Sequence, residues 1–176
     1  MKILLIGPQG SGKSTQADLL AKDFNLPKIS TGDIFRELSL QKSEQGRKIK
    51  EILNSGKLID DFKTAKIVEQ RLNSNDCRKG FILDGYPRNK KQQQIFDPKV
   101  DKVFALKISD EEVIKRLLAR DREDDSIKAI KKRLSLYNEQ TMPLLDYYKN
   151  QGILIEIDGM GEVEDIFCRI KDRLQK

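Results

Sequence analysis

The sequence has no histidine, no tryptophan and only two cysteines in 176 residues, and these absences exclude several kinds of site. Without histidine there is no side chain whose ordinary pKa lies near neutrality, so any chemistry must proceed without the usual proton carrier. Two isolated cysteines form neither a disulfide framework nor a Cys/His zinc site. We expect both thiols, Cys77 and Cys168, to pack as small apolar groups.

Long apolar runs and low-complexity tracts are also missing. No run approaches the roughly 18 residues that a membrane-spanning helix needs. The apolar start leads directly into glycines, without the basic flank of a secretory signal. We therefore expect a cytoplasmic protein with no membrane partner. Because no repeat or linker divides the chain, we predict a single domain over residues 1–176.

Positive charge is in excess, with 34 Lys and Arg against 28 Asp and Glu, a net charge of +6. This balance favours anionic partners such as nucleic acid, a phospholipid surface or small phosphates, and does not choose among them. Aromatic residues make up only 6% of the chain. Since nucleic-acid surfaces commonly stack bases on aromatic side chains, this composition favours small phosphates.

Five short apolar runs alternate with stretches of helical periodicity. The runs, rich in Ile, Leu, Val and Phe, cover residues 2–6, 27–29, 80–83, 102–108 and 153–157. Apolar residues recur at helical spacing between them, as at Ile114, Leu117 and Leu118, and a helix from Ser126 should bend or end at Pro143. This alternation predicts an α/β fold, a three-layer sandwich around a five-stranded parallel sheet. Such sheets bind ligands at the carboxyl ends of their strands.

Residues 7–14 read GPQGSGKS and fit the phosphate-loop pattern GxxxxGK[ST], directly after a predicted strand and before a predicted helix. The backbone N–H groups of such a loop surround phosphate oxygens, and the helix N-terminus adds partial positive charge. We expect Lys13 to reach the outer phosphates and Ser14 to contact Mg²⁺. A later predicted strand is followed by Asp84, a carboxylate of the kind that holds Mg²⁺ through water.

Several motifs in one order resemble the nucleoside monophosphate kinases, and most closely the adenylate kinases, over nearly the whole chain. Residues 12–16 read GKSTQ, residues 30–36 read STGDIFR, and residues 84–88 read DGYPR, followed by Gln92. The resemblance implies a P-loop kinase with a nucleotide-binding flap at 30–60 and a very short, zinc-free lid at 116–125. It also implies ATP and AMP as substrates, Mg²⁺ as cofactor and a monomer.

The resemblance assigns residues to each substrate. For ATP these are Gly10, Ser11, Gly12, Lys13, Ser14, Thr15, Arg116, Arg120 and Gly161. For AMP they are Thr31, Arg36, Lys57, Leu58, Ile59, Gly85, Tyr86, Pro87, Arg88, Gln92, Arg122 and Arg133. The implied catalytic residues are Lys13, Arg88, Arg120, Arg122 and Arg133. Ser14 and Asp84 are assigned to Mg²⁺, Asp84 through water, and most family members have Gly where Ser14 stands.

Two of these arginines, Arg116 and Arg120, stand four residues apart and would repel each other on one helix face. We infer that a shared anionic ligand explains the pair and that stability does not, because guanidinium groups bind phosphate bidentately and stay charged. Subtracting the seven cations assigned to the two substrates leaves the rest of the chain at 6 − 7 = −1. No basic surface then remains for nucleic acid.

Three alternatives stay open at this point. Uridylate/cytidylate kinases share the plan, and Asn89 resembles them, whereas Thr31 and Gln92 resemble adenylate kinases. A metabolite kinase would use Asp33 as a base toward a hydroxyl acceptor, but Arg36 favours a phosphate acceptor. A phosphate-loop ATPase or switch without a nucleotide acceptor is the third alternative.

Overall fold

The computed structural model describes residues 1–120, 122 and 124–175, and a five-stranded parallel sheet forms its centre. The strands are β1 (Lys2–Ile6), β2 (Lys28–Ser30), β3 (Phe81–Asp84), β4 (Lys102–Lys107) and β5 (Leu154–Asp158). Their order across the sheet is β2-β3-β1-β4-β5, and every neighbouring pair is parallel. All five predicted strands are confirmed, with ends that agree within one residue.

Helices connect the strands in the described part of the chain. They are α1 (Lys13–Phe24), α2 (Thr31–Ser39), α3 (Glu44–Asn54), α4 (Asp61–Leu72), α5 (Lys90–Ile95), α6 (Asp110–Arg120), α7 (Ile127–Leu136), α8 (Met142–Asn150) and α9 (Val163–Leu174). A 3-10 turn lies at Asn75–Cys77, and a π-helical turn at Tyr137–Thr141 joins α7 to α8. None of these helices is long and apolar enough to cross a membrane.

The sheet is covered on both faces, which confirms the three-layer prediction. Alternation along β1 sends Ile3 and Leu5 to one face and Leu4 and Ile6 to the other, because successive side chains of a strand point to opposite sides. Apolar residues of α1 and α9 pack on the first face, and those of α4 and α8 pack on the second. Both faces are therefore dry, as a parallel sheet requires.

Two smaller apolar clusters lie apart from the sheet. Within 30–60, helices α2 and α3 pack around Phe35, Ile49 and Ile59. Helices α6 and α7 pack together through Val113, Leu117, Ile130 and Leu134. The 30–60 segment and the α6–α7 pair flank the phosphate loop, and each therefore has a small apolar core of its own.

The predicted helix from Ser126 is confirmed at its start, but α7 ends at Leu136, before the π-helical turn, and not at Pro143. The Ser126 hydroxyl accepts a hydrogen bond from the Ala129 N–H at 3.2 Å and caps α7. Pro143 stands in the first turn of α8, just after the π-helical turn, where its missing N–H leaves no helical bond unmade.

Two expectations about packing are wrong. Cys77 is buried as expected, but Cys168 is exposed, because it lies on the outer side of α9. Leu118 is 48% exposed, whereas Leu117 is 1% exposed. Helix α6 packs only along the side that carries Leu117, so the next residue faces away from α7.

We predict that the adjacent leucines of α6 differ strongly in their contribution to stability. Leu117→Ala should lower the free energy of unfolding by about 2–5 kcal/mol, because it leaves a cavity in the α6–α7 cluster. Leu118→Ala should change it by less than about 0.5 kcal/mol. Denaturant unfolding of both variants checks this, and equal losses would contradict the packing of α6.

Candidate active site

A cavity of about 590 Å³ opens at the carboxyl ends of the central strands, at the edge where ligands bind in such sheets. The phosphate loop, the 30–60 segment, α6 and α7 contribute to its walls. Most of the predicted site residues line it: Gly10, Gly12, Lys13, Ser14, Thr15, Arg36, Lys57, Leu58, Asp84, Gly85, Pro87, Arg88, Arg116, Arg120, Arg122, Arg133 and Gly161. The structure therefore brings the two predicted substrate sites into one space.

Five predicted residues lie behind this wall. They are Ser11, Thr31, Ile59, Tyr86 and Gln92, each less than a tenth exposed. The Tyr86 hydroxyl donates to the backbone oxygens of Gln92 and Phe96, both at 2.7 Å, so this side chain belongs to the core. The Thr31 hydroxyl donates to the Gly85 oxygen at 2.9 Å.

The phosphate loop turns tightly into α1. Gly10 and Gly12 have positive φ angles of 86° and 89°, a conformation that glycine adopts without strain. Helix α1 begins at Lys13, and no side chain in the described part of the chain caps it. Its first N–H groups and the positive end of its dipole therefore face the cavity, an arrangement suited to anions.

Lys13 is folded back onto its own loop. Its Nζ donates to the Pro8 oxygen at 2.7 Å and to the Ser11 hydroxyl at 3.4 Å. Burial lowers the pKa of Lys13 to about 8, the charge of Asp84 opposes this shift, and the charges of Arg88 and Arg120 add to it. The ammonium group therefore lies beside the loop, in a site where burial disfavours its charged form.

Ser14 and Asp84 form a hydrogen-bonded pair at the cavity wall. The Ser14 hydroxyl donates to Asp84 Oδ2 at 2.7 Å, and Asp84 is buried at the end of β3. Hydroxyl and carboxylate oxygens suit a hard cation such as Mg²⁺. The described residues contain no cluster of three or more acidic, cysteine or histidine side chains that could hold a metal by themselves. A cation here would need further oxygens from phosphate or water.

Two arginines that the sequence assigns to AMP are fixed by different partners. The Arg88 Nε donates to the Gly85 oxygen at 3.0 Å, and burial lowers the pKa of Arg88 below its ordinary value, with Asp84 opposing. Arg36 pairs with Asp33 one helical turn away. Ser30 caps α2, because its hydroxyl accepts from the Asp33 N–H at 3.3 Å.

Asp33 is poorly placed to act as a base. Burial opposes its ionisation, but hydrogen bonds from Arg36 and Ser30 and the charge of Lys28 outweigh burial and lower its pKa. A carboxylate with a lowered pKa is a weaker proton acceptor. This arrangement argues against a metabolite kinase that takes a proton from a hydroxyl substrate.

Gln92 uses both ends of its side-chain amide within the protein. Its Oε1 accepts from the Arg88 N–H at 2.8 Å, and its Nε2 donates to Asp61 Oδ1 at 3.0 Å. Only one hydrogen on Nε2 and one lone pair on Oε1 remain for another partner. Asn89 caps α5, because its Oδ1 accepts from the Gln92 N–H at 2.7 Å.

The arginines of α6 and α7 have carboxylate partners, so the inference that stability gives no reason for the Arg116 and Arg120 pair is wrong. Arg116 Nε donates to Glu112 at 2.8 Å. Arg120 donates twice to Asp125 Oδ2, at 2.9 Å from Nε and 2.7 Å from Nη2. These carboxylates neutralise the repulsion that the sequence spacing predicts.

Asp124 and Asp125 are site residues that the sequence analysis missed. Arg133 donates to Asp124 at 2.6 Å and to Asp125 at 3.0 Å, and the Asp125 side chain is 2% exposed. The sequence does contain a signal for this pairing, because two adjacent acidic residues follow closely after a group of arginines. Buried carboxylates are rarely found unpaired, so a partner among those arginines could have been inferred.

The predicted lid at 116–125 is half helix, because 116–120 complete α6. Asp121 and Glu123 lie outside the described residues. Partial burial and the charges of Arg120 and Arg36 lower the pKa of Arg122. Arg122 therefore stands within the electrostatic reach of arginines from both sides of the cavity.

The loop at 159–162 closes the opposite end of the cavity. Gly161 has a φ angle of 99°, and Gln16 Nε2 donates to the Val163 oxygen at 2.9 Å. Arg116 Nη1 donates to the Gly159 oxygen at 3.3 Å, and Arg169 Nη1 donates to the Met160 oxygen at 2.9 Å. Arginines from α6 and α9 thus fix the backbone of this loop, and Gln16 holds the start of α9 that follows it.

Comparisons with known proteins agree with this geometry. The family profile described as "Adenylate kinase" matches residues 5–153. The adenylate kinase of Bifidobacterium longum is 42% identical, over 99% of this chain and 100% of the relative. Adenylate kinases of Corynebacterium urealyticum and Thermobifida fusca are 43% and 40% identical, covering 94% and 99% of this chain and 94% and 98% of the relatives.

We predict that ATP binding above pH 8 is accompanied by proton uptake at Lys13. The lowered pKa of about 8 leaves Lys13 largely neutral at pH 8.5, and phosphate oxygens beside Nζ raise that pKa again. Uptake should reach roughly three quarters of a proton at pH 8.5. Calorimetry in buffers of different ionisation enthalpy measures it.

The control for this experiment is Lys13→Arg, whose side chain stays charged throughout this pH range. The variant should bind ATP without the proton uptake. Equal uptake by the variant and the unaltered chain would show that another group titrates.

Proposed function

The chain belongs to the adenylate kinase family and transfers a phosphoryl group reversibly between ATP and AMP, and we propose that it does so in the cavity described above. The observation that supports this location is the convergence of Lys13 and six arginines on one cavity at the strand ends. Phosphoryl transfer is catalysed mainly by positioning the reactants and neutralising charge. A cavity lined in this way supplies both.

We place the donor on the phosphate-loop side. The backbone of 10–15 and the N-terminus of α1 would surround the ATP phosphates, with Lys13 leaving the Pro8 oxygen to reach the outer ones. Arg116 and the fixed loop around Gly161 would hold the donor base. Arg116 keeps its Glu112 partner on one edge, so the flat side of its guanidinium group is available for stacking.

We place the acceptor on the 30–60 side. Arg36 and Arg88 would bind the AMP phosphate, and the backbone at 57–59 would contact the base. Gln92 has one donor hydrogen and one acceptor lone pair left, which match the amine and ring nitrogen of adenine. Thr31 and the backbone of 85–87 would complete this pocket.

Between the two nucleotides, Arg120, Arg122 and Arg133 would neutralise the charge of the transferred group. An oxygen of the AMP phosphate attacks the γ-phosphorus of ATP, a new P–O bond forms, and the bond to the β–γ bridging oxygen breaks. Two ADP molecules result. The attacking oxygen is already ionised, so the absence of histidine is no obstacle and no general base is needed.

We propose Mg²⁺ as the cofactor, held by the Ser14 hydroxyl and, through water, by Asp84. The pair fits such an ion, since the two oxygens lie 2.7 Å apart at the mouth of the phosphate loop. When bound, Mg²⁺ would neutralise phosphate charge. The protein would contribute to this site by holding the Ser14 hydroxyl and the Asp84 carboxylate next to each other. We propose no zinc site.

The remaining assignments are proposals based on the family resemblance. The 30–60 segment would act as a flap and 116–125 as a short lid, both closing over bound nucleotides. We also propose a monomeric, cytoplasmic protein that acts on ATP and AMP and has no nucleic-acid or membrane partner.

The pyrimidine-kinase alternative loses its main support in the structure. Asn89, the residue that resembles that family, caps α5 and donates to Asp61 at 2.9 Å. Its presence is therefore explained by local structure, without a pyrimidine base.

The ATPase alternative is disfavoured by the two separate apolar clusters. The α2–α3 and α6–α7 clusters lie in two segments that would each cover one of two bound nucleotides, whereas an ATPase without an acceptor binds only one.

An acceptor panel tests the function. ATP is incubated with the enzyme and each of AMP, GMP, UMP and CMP, and diphosphate formation is measured. AMP should give the highest kcat/KM, because Gln92 offers the hydrogen bonds that the adenine edge requires. Faster turnover of UMP or CMP would favour the pyrimidine kinase, and ATP hydrolysis independent of any monophosphate would favour the ATPase.

Arg88→Ala should lower kcat/KM for AMP by roughly a hundredfold to a thousandfold, because the buried guanidinium group stabilises charge only when substrate is bound. Its melting temperature should change little. Arg78→Ala, at an exposed position before β3, serves as the matched control. A near-normal rate for Arg88→Ala would remove this residue from the site.

A further inference from the structure

We propose that Asp61 is a positioning residue for AMP recognition, which holds Arg88 in place through Gln92 and Asn89. The inference rests on the proposed role of Arg88 as a ligand of the AMP phosphate. Asp61 is the first residue of α4, at the point where the 30–60 segment rejoins the core. Its side chain is 19% exposed, and the sequence analysis gave it no role.

A single oxygen of Asp61 accepts both key hydrogen bonds. Oδ1 accepts from Gln92 Nε2 at 3.0 Å and from Asn89 Nδ2 at 2.9 Å. The other oxygen, Oδ2, lies 3.8 Å from the exposed Lys91 ammonium group. The two oxygens of the carboxylate therefore have different partners. Oδ1 accepts the hydrogen bonds from Gln92 and Asn89, and Oδ2 forms a weak surface ion pair with Lys91.

The bond to Asp61 fixes the direction of the Gln92 amide. A carboxylate only accepts hydrogen bonds and a backbone N–H only donates one. Gln92 must therefore direct Nε2 toward Asp61 and Oε1 toward the Arg88 N–H. If the amide were reversed, Nε2 would face the Arg88 N–H and Oε1 would face the Asp61 carboxylate. Each buried pair would then consist of two donors or of two acceptors, with no hydrogen bond between them.

This chain of bonds ends on the backbone of Arg88. Gln92 accepts the Arg88 N–H at 2.8 Å, and the buried Thr141 hydroxyl donates to the Arg88 oxygen at 2.6 Å. Both polar groups of this residue's backbone are thus held by side chains from neighbouring elements. The guanidinium group is held in turn by the Gly85 oxygen. Asp61 is the outermost member of the network and sets its geometry.

The same network ties α5 to α4. Asn89 caps α5 with Oδ1 and reaches Asp61 with Nδ2, so the start of the helix depends on the same carboxylate oxygen. Loss of Oδ1 would release Gln92 and Asn89 together. Arg88 would then keep its charge but lose the fixed position that lets a bidentate contact with phosphate form.

The test compares Asp61→Ala with Asp61→Asn in steady-state kinetics. Asp61→Ala should raise KM for AMP roughly tenfold and leave KM for ATP within about twofold, since the loss of one or two buried hydrogen bonds corresponds to about that factor. Asp61→Asn keeps an acceptor oxygen at the Oδ1 position and should restore most of the affinity for AMP. Lys91→Ala, which removes only the partner of Oδ2, is the matched control and should match the unaltered chain.

Melting temperatures establish that each variant is folded. If Asp61→Ala does not fold, Asp61→Ser makes the same comparison, because its hydroxyl is polar but too short to reach both donors. Equal increases in both KM values, an Asp61→Asn variant as impaired as Asp61→Ala, or unaltered kinetics of a folded Asp61→Ala variant would each overturn the inference. Failure of the proposed function is distinguishable, because the unaltered chain would then form no ADP from AMP.

Discussion

The mutual repulsion of positive side chains around one cavity is the constraint on which the rest of the structure depends. Guanidinium groups gathered for two polyanions repel each other whenever those polyanions are absent, and partial burial strengthens that repulsion. The fold opposes it with carboxylates of its own: Glu112 beside Arg116, Asp125 between Arg120 and Arg133, and Asp33 beside Arg36. The arginines are thereby positioned before substrate arrives, which reduces the ordering that binding requires.

One of these arginines also connects separate elements of the structure. Arg133 on α7 binds Asp124 and Asp125 and also donates to the Leu53 oxygen near the end of α3, at 2.9 Å. One guanidinium group therefore contacts both the residues that follow α6 and the end of α3. In the proposed function, in which 30–60 and 116–125 close over bound nucleotides, this contact would belong to the closed arrangement.

Local patterns in the sequence predict most of this fold, because the buried strands are short apolar runs and the helices repeat apolar residues about every 3.6 positions. The phosphate loop is predictable for the same reason, since its glycines, lysine and following helix are contiguous. Packing between distant elements is not: Leu118 fits the helical spacing of α6, and Cys168 is an apolar residue type, yet both face outward, because the extent of packing depends on neighbouring elements. Asp125, the partner of Arg120, was missed because charge spacing along α6 gives no information about the loop that follows, whereas Glu112, the partner of Arg116, stands four residues earlier on the same helix and was available from the spacing.

Asp125 joins the two helices that border the proposed lid. Asp125, 2% exposed in its side chain, binds arginines from α6 and from α7, so one buried carboxylate joins the two helices on either side of the lid. An ion pair of this kind is stabilising only when its remaining hydrogen-bonding capacity is satisfied, and here both oxygens of Asp125 accept. Val113, Leu117, Ile130 and Leu134 supply the apolar contact beneath it. The described residues of the α6–α7 pair therefore combine an apolar contact with a buried ion pair at one edge.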